Sequence, residues 1–272
     1  MTEPAMPMSH AALAVDIQNY SGRNDLQQLH LQSALTQVLD AATSAVGLDR
    51  SRWSERQPQG DGEFAWLPPD VHLDVLVGPF IRELHAELGG HNRRCPGDFC
   101  TPIRLRVALH FGPVRLGAAT GVAGGHAVRV GRLLDSAPVR VALDACQAAD
   151  LALIVSDRLY DDFISQGLGK PEQYRRVRVE VKRDHCIAYV HVPGQDVHAL
   201  TALDPFGADG PEPGDGPTTA TGADRGPVRP DAGPTAGTAI YGDQISGASH
   251  RFGDHGTVNT VGGDQVNLPG RA

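Results

Sequence analysis

The sequence predicts an α+β sandwich, a mainly antiparallel sheet with helices packed on it, followed by a stretch that builds no core. Three observations lead there. Apolar runs of strand length recur between stretches of helical period, the body ends on a strong hairpin pattern, and Gly and Pro crowd together beyond it. Residues 203–237 carry 7 Pro and 8 Gly with Phe206 as the one aromatic. So little apolar surface cannot offset the entropy of ordering a backbone. The chain therefore divides into a body over 10–193, a disordered Gly/Pro-rich linker over 194–237 and a short C-terminal piece over 238–269.

Taken in order, His10 to Asp16 reads as a buried strand ending on a carboxylate. From Asn24 the period becomes helical, with Leu31, Leu35, Val38 and Ala42 on one face and Gly47 as the stop. Trp53 to Leu67 reads as two strands about a tight turn at Gly60-Asp61-Gly62. Asp70 suits the N-cap of a second helix carrying Val71, Val75, Leu76, Ile81, Leu84 and Leu88, which Pro79 should kink or divide. Ile103 to His110 and Val114 to Leu116 read as two strands joined at Phe111-Gly112-Pro113. Gly124-Gly125 opens a helix over Val128 to Leu134. Leu151 to Val155 is an unbroken apolar run, hence a central strand, and Ser156-Asp157 caps a short helix after it. Val177, Val179 and Val181, then Cys186, Ala188, Val190 and Val192, alternate with polar neighbours as a closing hairpin.

Composition excludes several classes. A net charge of −8 argues against a sequence-independent grip on nucleic acid, which needs clustered cations. No apolar run approaches a membrane span, and Met1 to His10 shows no secretory signal, so the expected location is cytoplasmic. Four cysteines in that compartment are expected to be thiols. Cys95 and Cys100, with His91 just upstream, are spaced more widely than a usual metal pair, and no second cysteine pair follows.

Two carboxylates stand out by position. Asp16 ends the first strand and Asp61 occupies a hairpin tip, so neighbouring strands would project both at one end of the sheet. Hard cations such as Mg²⁺ favour such oxygen donors. Taken singly, Asp16 also suits a helix cap and Asp61 also suits its turn.

Residues 10–193 resemble a class III nucleotidyl cyclase domain of actinobacterial type. The resemblance lies in Val15-Asp16-Ile17-Gln18-Asn19-Tyr20-Ser21, Gln59-Gly60-Asp61-Gly62, Arg104 to Gly112, Gly125-His126-Ala127-Val128, Arg132 to Ser136 and Leu151 to Asp157, all in order. It implies a ferredoxin-like α+β fold and cyclisation of a nucleoside triphosphate to a 3′,5′-cyclic nucleotide. Two ions, Mg²⁺ or Mn²⁺, would sit on Asp16, Asp61 and the Ile17 carbonyl. The ribose 3′-hydroxyl attacks the α-phosphorus and pyrophosphate leaves, in a site completed by a homodimer. The family places an Asn and an Arg four residues apart on the helix after Gly125. Here Arg129 falls on the Asn, and Arg132 reaches the Arg only across a one-residue gap; otherwise Leu133 does. Arg129 and Arg132 share one helical face, as a phosphate clamp or as a solvated basic face. The base-reading column before the hairpin holds Gln57 with Arg56 beside it, and the second base-reading segment is Thr120-Gly121-Val122-Ala123. Base preference stays open, and so does an inactive cyclase-like nucleotide-binding or adaptor protein.

The C-terminal piece carries three Gly-Asp repeats, at Gly242-Asp243, Gly253-Asp254 and Gly263-Asp264, with β-branched residues and Asn or Gln between them. Such segments stack between chains as dry zippers and amide ladders. They resemble bacterial amyloid signalling motifs, and Val258-Asn259-Thr260-Val261-Gly262 is similar to RIP-homotypic-interaction-like cores. The implied partner is a protein carrying a matching motif. A disordered tail with chance repetition is the alternative.

Overall fold

The computed structural model describes residues 8–58, 60–95, 100–118, 121–123, 125–181 and 184–208. The C-terminal repeat, Gln59, Thr120, Lys182 and Arg183 lie outside the described residues.

One sheet organises the body. Its strands are β1 (Met8–Ile17), β2 (Ser54–Pro58), β3 (Gly62–Trp66), β4 (Leu105–Ala118), β5 (Gly121–Ala123), β6 (Leu151–Ser156), β7 (Arg175–Val181) and β8 (Asp184–His191). Their order is β2-β3-β1-β4-β6-β8-β7, with β5 paired to β4. Every neighbour pair is antiparallel except β4 and β6. A parallel pair needs a crossover. The helices α4 (Gly125–Leu134) and α5 (Ala137–Ala145) provide it. The expected α+β class, a mainly antiparallel sheet with helices packed on it, is the one found.

The period of 2 along β1 sorts its residues between two helical layers. Ala11, Leu13, Val15 and Ile17 join the larger core, with Leu105, Val107, Leu109, Leu151, Leu153 and Val155 from the neighbouring strands. That core is closed by α1 (Asp25–Ala45) through Leu31, Leu35, Val38, Leu39 and Ala42, and by α3 (Ile81–Arg93) through Ile81, Leu84 and Leu88. The even positions Ala12, Ala14 and Asp16 take the opposite face. Small residues there, and Ala108 beside them, leave room for α4, whose Val130, Leu133 and Leu134 are buried.

Several local features follow from single residues. Asn24 caps α1 in a reciprocal capping box with Gln27. The second helical run starts at α2 (Leu73–Val75), continues as one π-helical stretch over Leu76–Phe80 that contains Pro79, and resumes as α3. Pro79 lacks the N–H that a regular turn needs, so the run divides there. Its N-cap is His72; Asp70 instead pairs with Arg52 at 2.8 Å. Ser156 caps α6 (Asp157–Leu159), its hydroxyl accepting from the Leu159 N–H.

Three expectations are corrected. The two strands expected over 103–116 are the single strand β4. Pro113 is tolerated because β6 pairs with Leu105 to Leu109 alone, so beyond that point the missing N–H breaks no bond on the β6 side. Gly112 marks a close approach instead of a turn: a Cβ there would meet His126 Nδ1 at 2.3 Å. Helix α5 was not expected; its Ser136 N-cap and Pro138 in the first turn are its start signal. The four thiols are two, because Cys95 and Cys100 form a disulfide while Cys146 and Cys186 are free. Their Cα atoms lie 5.1 Å apart, well within bridging distance.

Past the hairpin, the 3₁₀ turns Val197–Ala199 and Thr201–Phe206 bury Val197 and Leu203, and Arg175 holds Asp204 at 2.7 Å. The packed body runs on through Ala208, which is buried. No helix among the described residues is long and apolar enough to cross a membrane.

Gly62 is the tightest point of the β1–β3 pair, since a Cβ would lie 2.2 Å from the Val15 carbonyl oxygen. Backbone cannot rotate aside, so Gly62→Ala should lower stability by about 1–3 kcal/mol in urea unfolding. An unchanged midpoint would contradict this packing.

Candidate active site

The C-terminal end of β1 gathers charge. Strand β3 lies antiparallel to β1 with Asp16 opposite Gly62, and the Ile17 N–H donates to the Asp61 carbonyl at 2.7 Å. Asp61 therefore sits beside the end of β1, as neighbouring strands require. The turn is shaped by Gly60, whose φ of +76° favours glycine. Tyr20 and Gln32 lie against that turn: Gln32 donates to the Tyr20 hydroxyl at 2.5 Å, and both flank Gly60.

On the other side of β1, β4 places Arg106 directly opposite Asp16. Arg106 Nη2 donates to Asp16 Oδ2, a pair nearly closed to solvent. A buried carboxylate is costly unless paired. Burial, helped by Asp61 and Asp135, pushes the Asp16 carboxyl up to about 6 against the pull of Arg106. Asp61 is also raised, chiefly by burial and partly by Asp135, against the pull of its own backbone hydrogen bond and of Arg106.

Asp135 is the residue that sequence reasoning passed over. It follows the last turn of α4, and the run of α4 along the even-residue face carries it to the two aspartates, where it acts on both. Arg140 holds it at 3.0 Å. Arg106 carries no role in the sequence pattern alone; its signal is a lone guanidinium in the otherwise apolar Leu105 to Leu109 run.

Arg129 is not brought to the aspartates, while Arg132 lies on α4 about one turn before Asp135. Arg129 bonds Asp157 at 3.1 Å, and both Arg129 and Arg132 act on the thiol of Cys186 in β8. Near Arg129, His110 is fully buried, its Nδ1 2.8 Å from Ser156 Oγ and its Nε2 2.9 Å from His126 Nδ1. Burial first, then His126 and two arginines, drive His110 down to about 3, so the imidazole is neutral. Since β4 and β6 are parallel and Asp157 follows β6, this group occupies the end of the sheet opposite Asp16. Arg56 and Gln57 lie on β2, with Gln57 opposite Phe64 of β3.

No family sequence model and no curated protein sequence matches the chain. Solved structures do match. The guanylyl cyclase Cya2 aligns with a TM-score of 0.50 at 12% identity, over 74% of this chain and 100% of that one. The adenylyl cyclase CyaB from P. aeruginosa gives 0.49 at 15% identity, over 72% and 100%. The guanylate cyclase domain of RhGC from Catenaria anguillulae, solved with GTP, gives 0.44 at 14%, over 68% and 96%. The body thus has the fold of nucleotidyl cyclase domains, and at these identities the likeness is one of fold.

The Arg106 contact lowers Asp16 while burial raises it, so Arg106→Gln should move the Asp16 carboxyl above about 6 in a carbon-detected NMR titration. The folded value exceeds the unfolded one, so this group's stabilising share is full below the ordinary carboxylate value and is lost as pH rises through about 6. The variant should lose it over a higher window. An unmoved titration would show that Arg106 does not act on Asp16.

Proposed function

We propose that the chain is a divalent-metal-dependent nucleotidyl cyclase that works as a homodimer. The observation carrying this reading is the side-by-side placement of Asp16 and Asp61 at one end of a cyclase-fold sheet.

The donor set suits a hard cation. Asp16, Asp61 and the Ile17 carbonyl offer oxygen alone, and burial raises both carboxyls, with Asp135 repelling both and Asp61 repelling Asp16, a strain that a bound cation relieves. Arg106 takes Asp16 Oδ2 and so fixes the carboxylate's orientation, leaving Oδ1 as the second donor atom. When bound, Mg²⁺ or Mn²⁺, two ions per site, supplies charge that neutralises the triphosphate and makes the ribose 3′-hydroxyl easier to ionise.

The remaining roles fall to residues of the chain. Arg129 and Arg132 stabilise phosphate charge in the site of the opposite copy, since within one chain Arg129 pairs with Asp157 at the other end of the sheet from Asp16. The Arg129–Asp157 pair is half-exposed at 3.1 Å. Pairs of that kind are worth only about 0–1 kcal/mol, so exchange for a phosphate costs little. Arg56 and Gln57 address the base from β2. The Gly-Asp repeat at 238–269 recruits the enzyme to a protein with a matching motif and raises the local concentration a dimer needs.

The test is mass spectrometry of the full chain with Mg²⁺ or Mn²⁺ and each of the four nucleoside triphosphates. A 3′,5′-cyclic product is expected, with Asp16→Asn and Asp61→Asn each slowing its formation at least about 100-fold. Deleting 238–272 should spare the rate at high protein concentration and lower it on dilution. No cyclic product from any nucleotide, with nucleotide still bound, would replace this reading with a nucleotide-binding adaptor.

A further inference from the structure

A second cluster, which includes neither Asp16 nor Asp61, lies where α1 packs beside the end of α3. His30 projects from α1, His91 stands in the last turn of α3, and Cys95 and Cys100 follow. One ligand atom from each of the four lies within 4.8 Å of every other. His30 Nε2 is 3.5 Å from Cys100 Sγ, and the two imidazole centroids are 6.0 Å apart. His91 Nε2 is buried without a hydrogen-bond partner, although the ring also bonds the Thr101 backbone. A ring held by one nitrogen with the other left open is how a metal-ligating histidine is oriented.

The anchors of the cluster are fixed by hydrogen bonds outside it. Asn92 donates to the Ile103 carbonyl at 2.8 Å and accepts from the Ile103 N–H at 2.8 Å, and it also donates to Asp150 at 2.7 Å. This clamp returns the chain to the end of α3 and sets Cys100 beside Cys95, with Cα atoms 5.1 Å apart. His91, just upstream of the cysteines, and His30 from α1 supply the ligands that a second cysteine pair would otherwise provide.

We propose that His30, His91, Cys95 and Cys100 form a zinc site that opens when the Cys95–Cys100 disulfide is reduced. Two thiolates and two imidazoles are a donor set that zinc takes in tetrahedral geometry. Metal–sulfur and metal–nitrogen bonds of about 2.3 and 2.0–2.1 Å put tetrahedral ligand atoms about 3.3–3.8 Å apart. The cluster is close to that already, and parting the two sulfurs is the main adjustment. A dithiol reductant gives two electrons and two protons to the S–S bond and becomes a disulfide itself, leaving two thiols on the chain. Zinc binding then displaces both thiol protons to solvent. The bound ion joins α1 to the α3–β4 connection, whereas the disulfide staples the connection alone.

The full chain is reduced with a phosphine, freed of it without oxygen, and titrated with Co²⁺ as an optical probe, then with Zn²⁺ against a chromophoric chelator. The expected result is a thiolate-to-cobalt charge-transfer band that saturates at one Co²⁺ per chain and is displaced by an equal amount of zinc. The oxidised chain should bind at least about 100-fold more weakly, and His30→Ala should weaken zinc by at least the about 10–100-fold typical of losing a supporting contact. His30 is exposed, so that variant keeps its fold, which circular dichroism verifies. Cys146→Ser and Cys186→Ser should leave binding unchanged. A reduced chain without the band, a band that survives Cys95→Ser with Cys100→Ser, or zinc affinity untouched by His30→Ala would each overturn the proposal.

Discussion

A carboxylate buried between two strands must be paired, and that requirement ties this molecule together at Asp16. Its partner Arg106 lies directly across the β1–β4 pair, so strand register and charge pairing specify the same arrangement. A one-residue slip would turn Asp16 into the apolar layer under α1 and α3 and strand the guanidinium on the other face. The same register sets the Ile17 N–H against the Asp61 carbonyl and thereby fixes the β2–β3 turn. A second buried arginine works alike: Arg50 holds Glu63 of β3 at 2.6 Å and also Asp40 of α1, stacking on Trp53, so the hairpin carrying Asp61 is bound to α1. Arg104 does this for the crossover, donating to the carbonyls of Leu143 in the last turn of α5 and of Cys146 and Ala149 after it.

Helix α4 links the two ends of the sheet. It starts where His126 meets Gly112 and His110, and it finishes at Asp135 beside Asp16 and Asp61. One chain therefore presents Asp16, Asp61 and Asp135 at one end of the sheet and Arg129 at the other. Acidic metal-binding chemistry and cationic phosphate chemistry are both needed for in-line displacement at a triphosphate. Their separation within a chain is what gives the homodimer a functional purpose in the proposed reading.

Much of this was legible in the sequence, and the exceptions have physical reasons. Period-2 and unbroken apolar runs report burial directly, so β1, β6 and the β7–β8 hairpin were visible, and Gly60-Asp61-Gly62 announced its turn. Gly112-Pro113 carries turn chemistry and so divides β4 in the sequence, while the real causes of the pair, the close approach of His126 and the end of the β6 pairing, exist only in three dimensions. Helix α5 is short and Ala-rich and follows α4 after a two-residue link, too brief a pattern to separate. Asp16 and Asp61 could be paired from the sequence because strand ends and hairpin tips fall together. Asp135 could not, since its place depends on the path of α4. His30 lies 70 residues from Cys100, and only the packing of α1 on α3 unites them.

The central claim is that the aspartate pair and the α4 arginines serve one reaction from two copies of the chain. Mixing Asp61→Asn with Arg129→Ala, each inactive alone, tests it. In a symmetric dimer, random exchange gives half the dimers one intact site of two, so cyclase activity should return to roughly a quarter of wild type. A mixture as inactive as its separate components, with exchange of subunits verified, would contradict a site shared between copies.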